Sequence, residues 1–356
     1  MNMQIDLEKG IANVGDVSRI REVMARAKRG GRLVIGFIGG SITQGSLSST
    51  PQTCYAYRVY TWWKETFPQA EFVYCNAGIG GTTSEFGAAR VGTDLLAERP
   101  DFVIVEFSVN DESTEHFKET YEGLVRKILG AAWNPAVLLV HNVFYHNGAN
   151  AQMMHAAIGR HYDLPSVSMQ SSIYPEVVAG RIENRAITPD DLHPNDEGHA
   201  LVASVITYFL EQVRSGKLTG RNTSFAPGAK LPAPLTKNAY EDSVRIRNAA
   251  APDMAGLQQP TLDGFTPDET AQNEITDCFR YGWTAKKTGD AITFLAEGSC
   301  IAVQYRKSVK LPAPAALAVV DDDTEHAVRL DANFDETWGD MGSPPKLQCL
   351  STRMFS

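Results

Sequence analysis

Between residues 17 and 216 two kinds of apolar pattern take turns along the chain. Leu33–Ile38, Phe72–Cys75, Phe102–Phe107, Val137–His141 and Ser166–Met169 are short runs rich in Val, Ile, Leu and Phe. A strand with one wet face alternates apolar and polar residues, whereas a strand covered on both faces reads as a nearly continuous apolar run. These runs predict five buried strands. Val17–Lys28, Tyr57–Phe67, Glu85–Glu98, Ser113–Leu129 and Ala151–His161 instead place apolar residues at helical steps, as Val59, Trp63 and Phe67 show. Such spacing makes one apolar stripe on a helix, which puts Trp62 and Trp63 in a core helix. Asp196–Val213 closes the series through Leu201, Val202, Val205, Ile206, Phe209 and Leu210, with Asn195 as its N-cap. Strands alternating with helices predict an α/β domain with a parallel sheet covered on both faces.

From Ser215 to about Pro260 the composition shifts to Gly, Pro, Lys, Asn and Ala, residues that punctuate structure. A domain boundary is therefore expected near residue 220, giving 1–219 as an α/β domain and 220–356 as a second domain. In the latter, Ile292, Phe294, Ile301, Val303 and Tyr305 alternate with polar residues, and Val319–Val320 and Val328–Leu330 flank a polar DDDTEH turn. That pattern predicts antiparallel β structure of sandwich type. Tyr281, Trp283, Tyr305 and Trp338 could stack on sugar rings, though aromatics at strand spacing usually fill a sandwich core. The closing residues, GSPPKLQCLSTRMFS, show no clean periodicity, so this domain is expected to be incomplete or to end in a loose tail.

Length agrees with two domains: 356 residues exceed one average domain about twofold. Lys plus Arg total 33 against 42 Asp plus Glu, a formal charge of −9, which offers no basic surface for nucleic acid. No run of 18 apolar residues exists, and the acidic start MNMQIDLEKG lacks the basic-then-apolar order of a signal peptide. A cytoplasmic protein with no membrane partner is expected, and a homo-oligomer stays open. Cys54, Cys75, Cys278, Cys300 and Cys349 show neither CxxC nor Cys/His ligand spacing, so they read as reduced thiols and not as a zinc site.

Candidate chemistry sits in four segments, three of them at the carboxyl ends of predicted strands and the last just before the final helix. Gly39-Gly40-Ser41-Ile42-Thr43 follows the first strand; glycines permit a sharp turn that exposes a serine hydroxyl. Gly40 to Gly45 has the glycine separation of a phosphate loop, but Ser46 stands where its lysine belongs. Asn76-Ala77-Gly78-Ile79-Gly80-Gly81-Thr82-Thr83-Ser84 follows the second strand, with Thr83 where a dinucleotide fingerprint needs its third glycine. Ser108-Val109-Asn110-Asp111 follows the third; an asparagine amide can stabilise an oxyanion without giving up a proton. Asp190-Asp191-Leu192-His193 precedes the last helix. Residues three apart in a turn bring a carboxylate to an imidazole, with Asp190 favoured over Asp191 to hold Nδ1–H and leave Nε2 as base. Alone, each segment is an ordinary turn or cap. His141, His155, His161 and His199 lack metal-ligand spacing and are expected as packing or helix-surface residues.

Taken together and in this order, GGSIT, NAGIGGTTS, SVND and DLHPNDEGH resemble the four blocks of the SGNH, or GDSL-type, hydrolases over about residues 33–213. Gly40 departs from the namesake motif, which has Asp there, and Ile42 departs from its Leu. The resemblance implies a flavodoxin-like three-layer α/β/α sandwich on a five-stranded parallel sheet, with Ser41 as nucleophile and His193 and Asp190 as base and support. It also implies an oxyanion hole from Ser41, Gly81 and Asn110, with Gly78 as second choice for the glycine donor. An esterase acting through an acyl-enzyme follows, needing no metal or organic cofactor. A β-rich second domain resembles the layout of carbohydrate esterases, so an O-acetyl ester of a soluble sugar is the expected substrate. A broader short-chain esterase or thioesterase, and a non-catalytic carbohydrate-binding protein, are the alternatives. Asn142–His155 leaves the fourth strand on the same rim, so Tyr145, His146 and Asn147 are candidate substrate contacts.

Overall fold

The computed structural model describes residues 5–220, 230–249, 258–268, 281–334 and 350–355. The chain divides into two compact units: Met1–Gly78 with Thr82–Val244, and Arg245–Ser356 with Ile79–Gly81.

In the first unit the elements run β1 (Ile11–Asn13), α1 (Ser18–Lys28), β2 (Arg32–Gly39), α2 (Ser41–Gln44), α3 (Tyr55–Thr66), β3 (Glu71–Gly78), α4 (Ser84–Asp94), β4 (Phe102–Glu106), α5 (Glu115–Leu129), β5 (Ala136–His141), α6 (Gln152–His161), β6 (Ser166–Ser168), three short helices α7 (Met169–Ser172), α8 (Tyr174–Val178) and α9 (Asn184–Ile187), and α10 (Asp196–Arg214). One sheet in the order β1-β6-β5-β4-β2-β3 forms the middle layer. β2 to β6 pair in parallel. The expected five strands thus become six: β1 adds antiparallel to β6 at the edge. Three residues, Ile-Ala-Asn, are too few to print a period on the sequence. Met169, expected to end a strand, begins α7 because Ser168 Oγ accepts the Ser171 N–H and caps a helix there.

Successive strand side chains point to opposite faces, and the two faces fill separate cores. Leu33, Ile35 and Phe37 of β2, Phe102 and Ile104 of β4, and Leu138 and Val140 of β5 join Val59, Trp63 and Phe209 in one. Val103, Val105, Val137 and Leu139 join Val91, Leu124, Val125 and Ile158 in the other. The unbroken apolar runs are therefore two interleaved sets, each buried by its own helix layer. Asn195 caps α10 as expected, its Oδ1 accepting the Gly198 N–H at 3.0 Å. Beyond residue 220 the first unit continues along α5: Glu122 accepts N–H bonds from Leu235 at 2.6 Å and Thr236 at 2.7 Å, and Arg126 Nε donates to Glu241 at 2.6 Å.

The second unit is rich in strands: β7 (Thr261–Asp263), β8 (Thr266–Asp268), β9 (Gly282–Thr284), β10 (Ala291–Thr293), β11 (Ile301–Arg306), β12 (Ala315–Ala318), β13 (Val328–Asp331) and β14 (Leu350–Phe355). They form antiparallel pairs β7–β10, β8–β9, β11–β14 and β12–β13. Tyr281, Trp283 and Tyr305 are half-buried, with Trp283 edge-on to Phe294 at 5.4 Å. Trp338, Cys278, Cys349 and most of the closing segment lie outside the described residues. Cys54 and Cys75 are free thiols. Among the described residues no helix is long and apolar enough to cross a membrane.

Candidate active site

β2 ends at Gly39, and the chain turns through Gly40 so that Ser41 opens α2. Glycine at 40 is required by packing: a Cβ there would stand 2.1 Å from Asn110 Oδ1. Asn110 sits in the turn after β4, its N–H bonded to Phe107 O at 3.0 Å. Gly78 at the end of β3 is equally constrained, since a Cβ would lie 2.3 Å from the Gln44 nitrogen of α2. Gly81 lies in the exposed turn between β3 and α4, with φ of +69°.

The fourth segment comes from the far end of the chain. Ser41 Oγ and His193 Nε2 are 2.7 Å apart, and His193 Nδ1 and Asp190 Oδ2 are 2.6 Å apart. Asp190 Oδ1 also accepts the N–H groups of His193 at 2.7 Å and Leu192 at 3.1 Å, which fixes the carboxylate in its own turn. Burial raises the Asp190 pKa, but hydrogen bonds from the His193 side chain and backbone outweigh it, leaving the carboxyl below its ordinary value. An ionised carboxylate can only accept, so His193 carries its proton on Nδ1 and offers Nε2 to the serine hydroxyl. Ser41 is 3% exposed, so its hydroxyl meets little competing water.

Asp191 takes another role. With φ of +70° its side chain turns away, accepting from Asn184 Nδ2 at 2.5 Å and Arg185 Nη2 at 2.7 Å. Its carbonyl accepts the Tyr145 N–H at 2.9 Å, so the segment after β5 is tied to the histidine loop through its backbone. The Tyr145 side chain is buried in the first core, whereas His146 and Asn147 are exposed.

Several supports are not legible in sequence. Asp111, next to Asn110, accepts the Ser84 N–H at 2.8 Å and contacts His155 Nε2 at 2.9 Å; His155 lies flat on Tyr121 at 3.6 Å. This joins the Asn110 turn to the start of α4. His199 accepts from the Tyr55 N–H at Nδ1 and donates from Nε2 to Ser46 O, each at 3.2 Å, holding the turn after α2. Burial, with Arg58 nearby, drives its pKa down to about 4. Desolvation and His155 take His141 down to about 3. Burial raises Glu106, at the end of β4, to about 7, against hydrogen bonds from Ser108 and Asn142. The sequence marks these histidines only as packing or helix-surface residues. The hydrogen-bond partners of His155 and His199 lie 44 or more residues away in sequence. Among the described residues no group of His, Cys, Asp and Glu is arranged to hold a metal ion.

An α/β/α sandwich with a serine, histidine and aspartate linked in series at the rim of its sheet defines a hydrolase class, and comparison with known proteins agrees. The GDSL-like Lipase/Acylhydrolase family matches residues 37–201. A crystal structure of a two-domain esterase (CEX) active on acetylated mannans, co-crystallized with mannopentaose, is 62% identical, with a TM-score of 0.88 over 99% of this chain and 89% of that one. Another structure of a two-domain esterase of the same description is 61% identical, with a TM-score of 0.86 over 99% of this chain and 94% of that one. No curated protein matches. The chain belongs to the GDSL-like lipase/acylhydrolase family and is a carboxylic ester hydrolase.

Proposed function

We propose that the protein removes O-acetyl groups from carbohydrates, with acetylated manno-oligosaccharides as the substrate class, through an acyl-enzyme on Ser41. The observation that carries the mechanism is the unbroken Ser41–His193–Asp190 hydrogen-bond series at 2.7 and 2.6 Å. The substrate class is supported by the activity of the similar esterases on acetylated mannans. His193 Nε2 takes the Ser41 proton as Oγ bonds to the ester carbonyl carbon. The resulting oxyanion is held by the Ser41 and Gly81 N–H groups and the Asn110 amide. As the acyl–oxygen bond breaks, the imidazolium returns the proton to the departing sugar hydroxyl. Water, deprotonated by the same nitrogen, then releases acetate. Asp190 stays ionised and steadies the imidazolium. His146 and Asn147, exposed beside the histidine loop, contact the sugar.

Acetate release from acetylated manno-oligosaccharides and from p-nitrophenyl acetate tests this reading. Ser41→Ala should lower kcat by about 10⁶-fold on both. Retained hydrolysis in Ser41→Ala, or sugar binding by the wild type without acetate release, would overturn it.

A further inference from the structure

Arg90, in the middle of α4, is 0% exposed. A guanidinium cannot shed its charge, so burying it is costly unless its donors are well matched. Here Nη1 donates to Ala77 O at 2.7 Å and to Asp94 Oδ2 at 3.2 Å, and Nη2 donates to Gly39 O at 3.2 Å. The Phe86 ring packs 5.6 Å from the guanidinium carbon. Gly39 and Ala77 are not arbitrary acceptors. They belong to the last rungs of the parallel ladder of β2 and β3, where Ile38 faces Ala77 and Gly39 faces Gly78. One residue beyond Gly39 the chain turns into Ser41; one residue beyond Ala77 stands Gly78, against which the backbone of α2 packs with no room for a Cβ. Asn76 completes the joint: its Nδ2 donates to Thr43 O of α2 at 2.8 Å while its Oδ1 accepts the Gly78 N–H at 2.9 Å.

We propose that Arg90 is a positioning residue of the ester hydrolase: its planar fork fixes the separation of the two strand ends and so sets the height of Ser41 against its oxyanion donors. An ammonium has no rigid pair of donors to span both carbonyls. A shift of about 1 Å in a reacting group can cost roughly 10²-fold in rate. The inference rests on Ser41 acting as the nucleophile, and Ser41→Ala tests that separately.

The experiment compares full-length wild type, Ser41→Ala, Arg90→Lys and Arg90→Met. The readouts are kcat and KM for p-nitrophenyl acetate, the inhibition constant of phenylboronic acid, which forms a tetrahedral adduct on a serine oxygen, and the cooperative thermal transition. In folded Arg90→Lys and Arg90→Met, kcat should fall by about 10- to 100-fold with KM within threefold. The boronate constant should weaken by a similar factor, with lysine recovering little of the loss. A lowered thermal midpoint with kcat and boronate affinity within threefold of wild type would reduce Arg90 to a fold residue and overturn the proposal. Failure of both variants to fold would overturn it equally. Activity persisting in Ser41→Ala would sink the underlying mechanism whatever the Arg90 variants do.

Discussion

Two Asp-x-x-His turns in this chain are almost superimposable in their local chemistry and differ in everything around them. Asp190 and His193 join through Nδ1 and Oδ2 at 2.6 Å, with the His193 N–H on the other carboxylate oxygen at 2.7 Å. Asp323 and His326, in the turn between β12 and β13, join through the same atoms at 2.6 Å, with the His326 N–H on Oδ1 at 3.2 Å. The His193 side chain is 15% exposed and that of His326 is 82% exposed. Ser41 Oγ stands at the free nitrogen of His193; among the described residues no hydroxyl is hydrogen-bonded to His326. In these two turns the carboxylate–imidazole pair is made within four consecutive residues and has no functional weight by itself. A serine delivered from 152 positions away makes the difference.

The strongest way to break the comparison is to remove each carboxylate in turn. Asp190→Asn should lower kcat by about 10³- to 10⁴-fold, because the amide no longer favours the productive tautomer or the imidazolium. Asp323→Asn should leave acetate release within twofold of wild type. Equal losses in the two variants would mean that the local pair, and not its serine, sets the chemistry.

Asn110→Ala should lower kcat by about 10²- to 10³-fold with little change in KM, as expected for a donor used in the transition state. A rise in KM at constant kcat would instead assign Asn110 to ground-state binding. Next in size is Asp191→Ala, which removes the contacts to Asn184 and Arg185 from the histidine loop. A loss of about 1 kcal/mol in urea unfolding is expected, with activity within threefold. A fall in kcat matching that of Asp190→Asn would exchange the roles of the two carboxylates.

Acid titration gives a separate contrast, between two buried histidines and a buried carboxyl. His141 and His199 hold pKa values of about 3 and about 4 when folded, below the ordinary imidazole value of 6.5. The unfolded chain therefore takes up these protons first, and stability should fall as pH drops from about 6.5 toward 4. Glu106 opposes them: with a folded pKa of about 7 against an ordinary 4.5, its neutral form favours the fold, and that contribution is lost as pH rises through 7. Two protons against one leave a net slope of about 1.4 kcal/mol per pH unit between pH 4.5 and 6.5. Glu106→Gln should roughly double that slope in urea melts at pH 4.5, 5.5 and 6.5. An unchanged slope would show that Glu106 is ionised throughout.

Much of the α/β unit could be read from the chain, for a definite reason. A strand buried on both faces and a helix buried on one leave different periods in the order of residues, so β2 to β6 and the long helices announce themselves. β1, with three residues, and α7 to α9, set by turns and caps, have no period to read. The four candidate segments were legible for a similar reason: each places a glycine, an asparagine or an Asp-x-x-His pair in one local turn. Their residues need no distant partner to be recognised. The clamp of Arg90 on Gly39 and Ala77, the His155–Asp111 contact and the His199 bridge were not legible, because each joins elements through space.

The sequence by itself therefore determined β2 to β6, the long helices, their layering and the kinds of group available for chemistry, since those depend on neighbours along the chain. Only the tertiary structure decided which Asp-x-x-His pair receives a serine and which buried cation ties the strand ends together. Hydrogen bonds and charges act over a few ångströms, and closing such distances between residues far apart in sequence is what folding does.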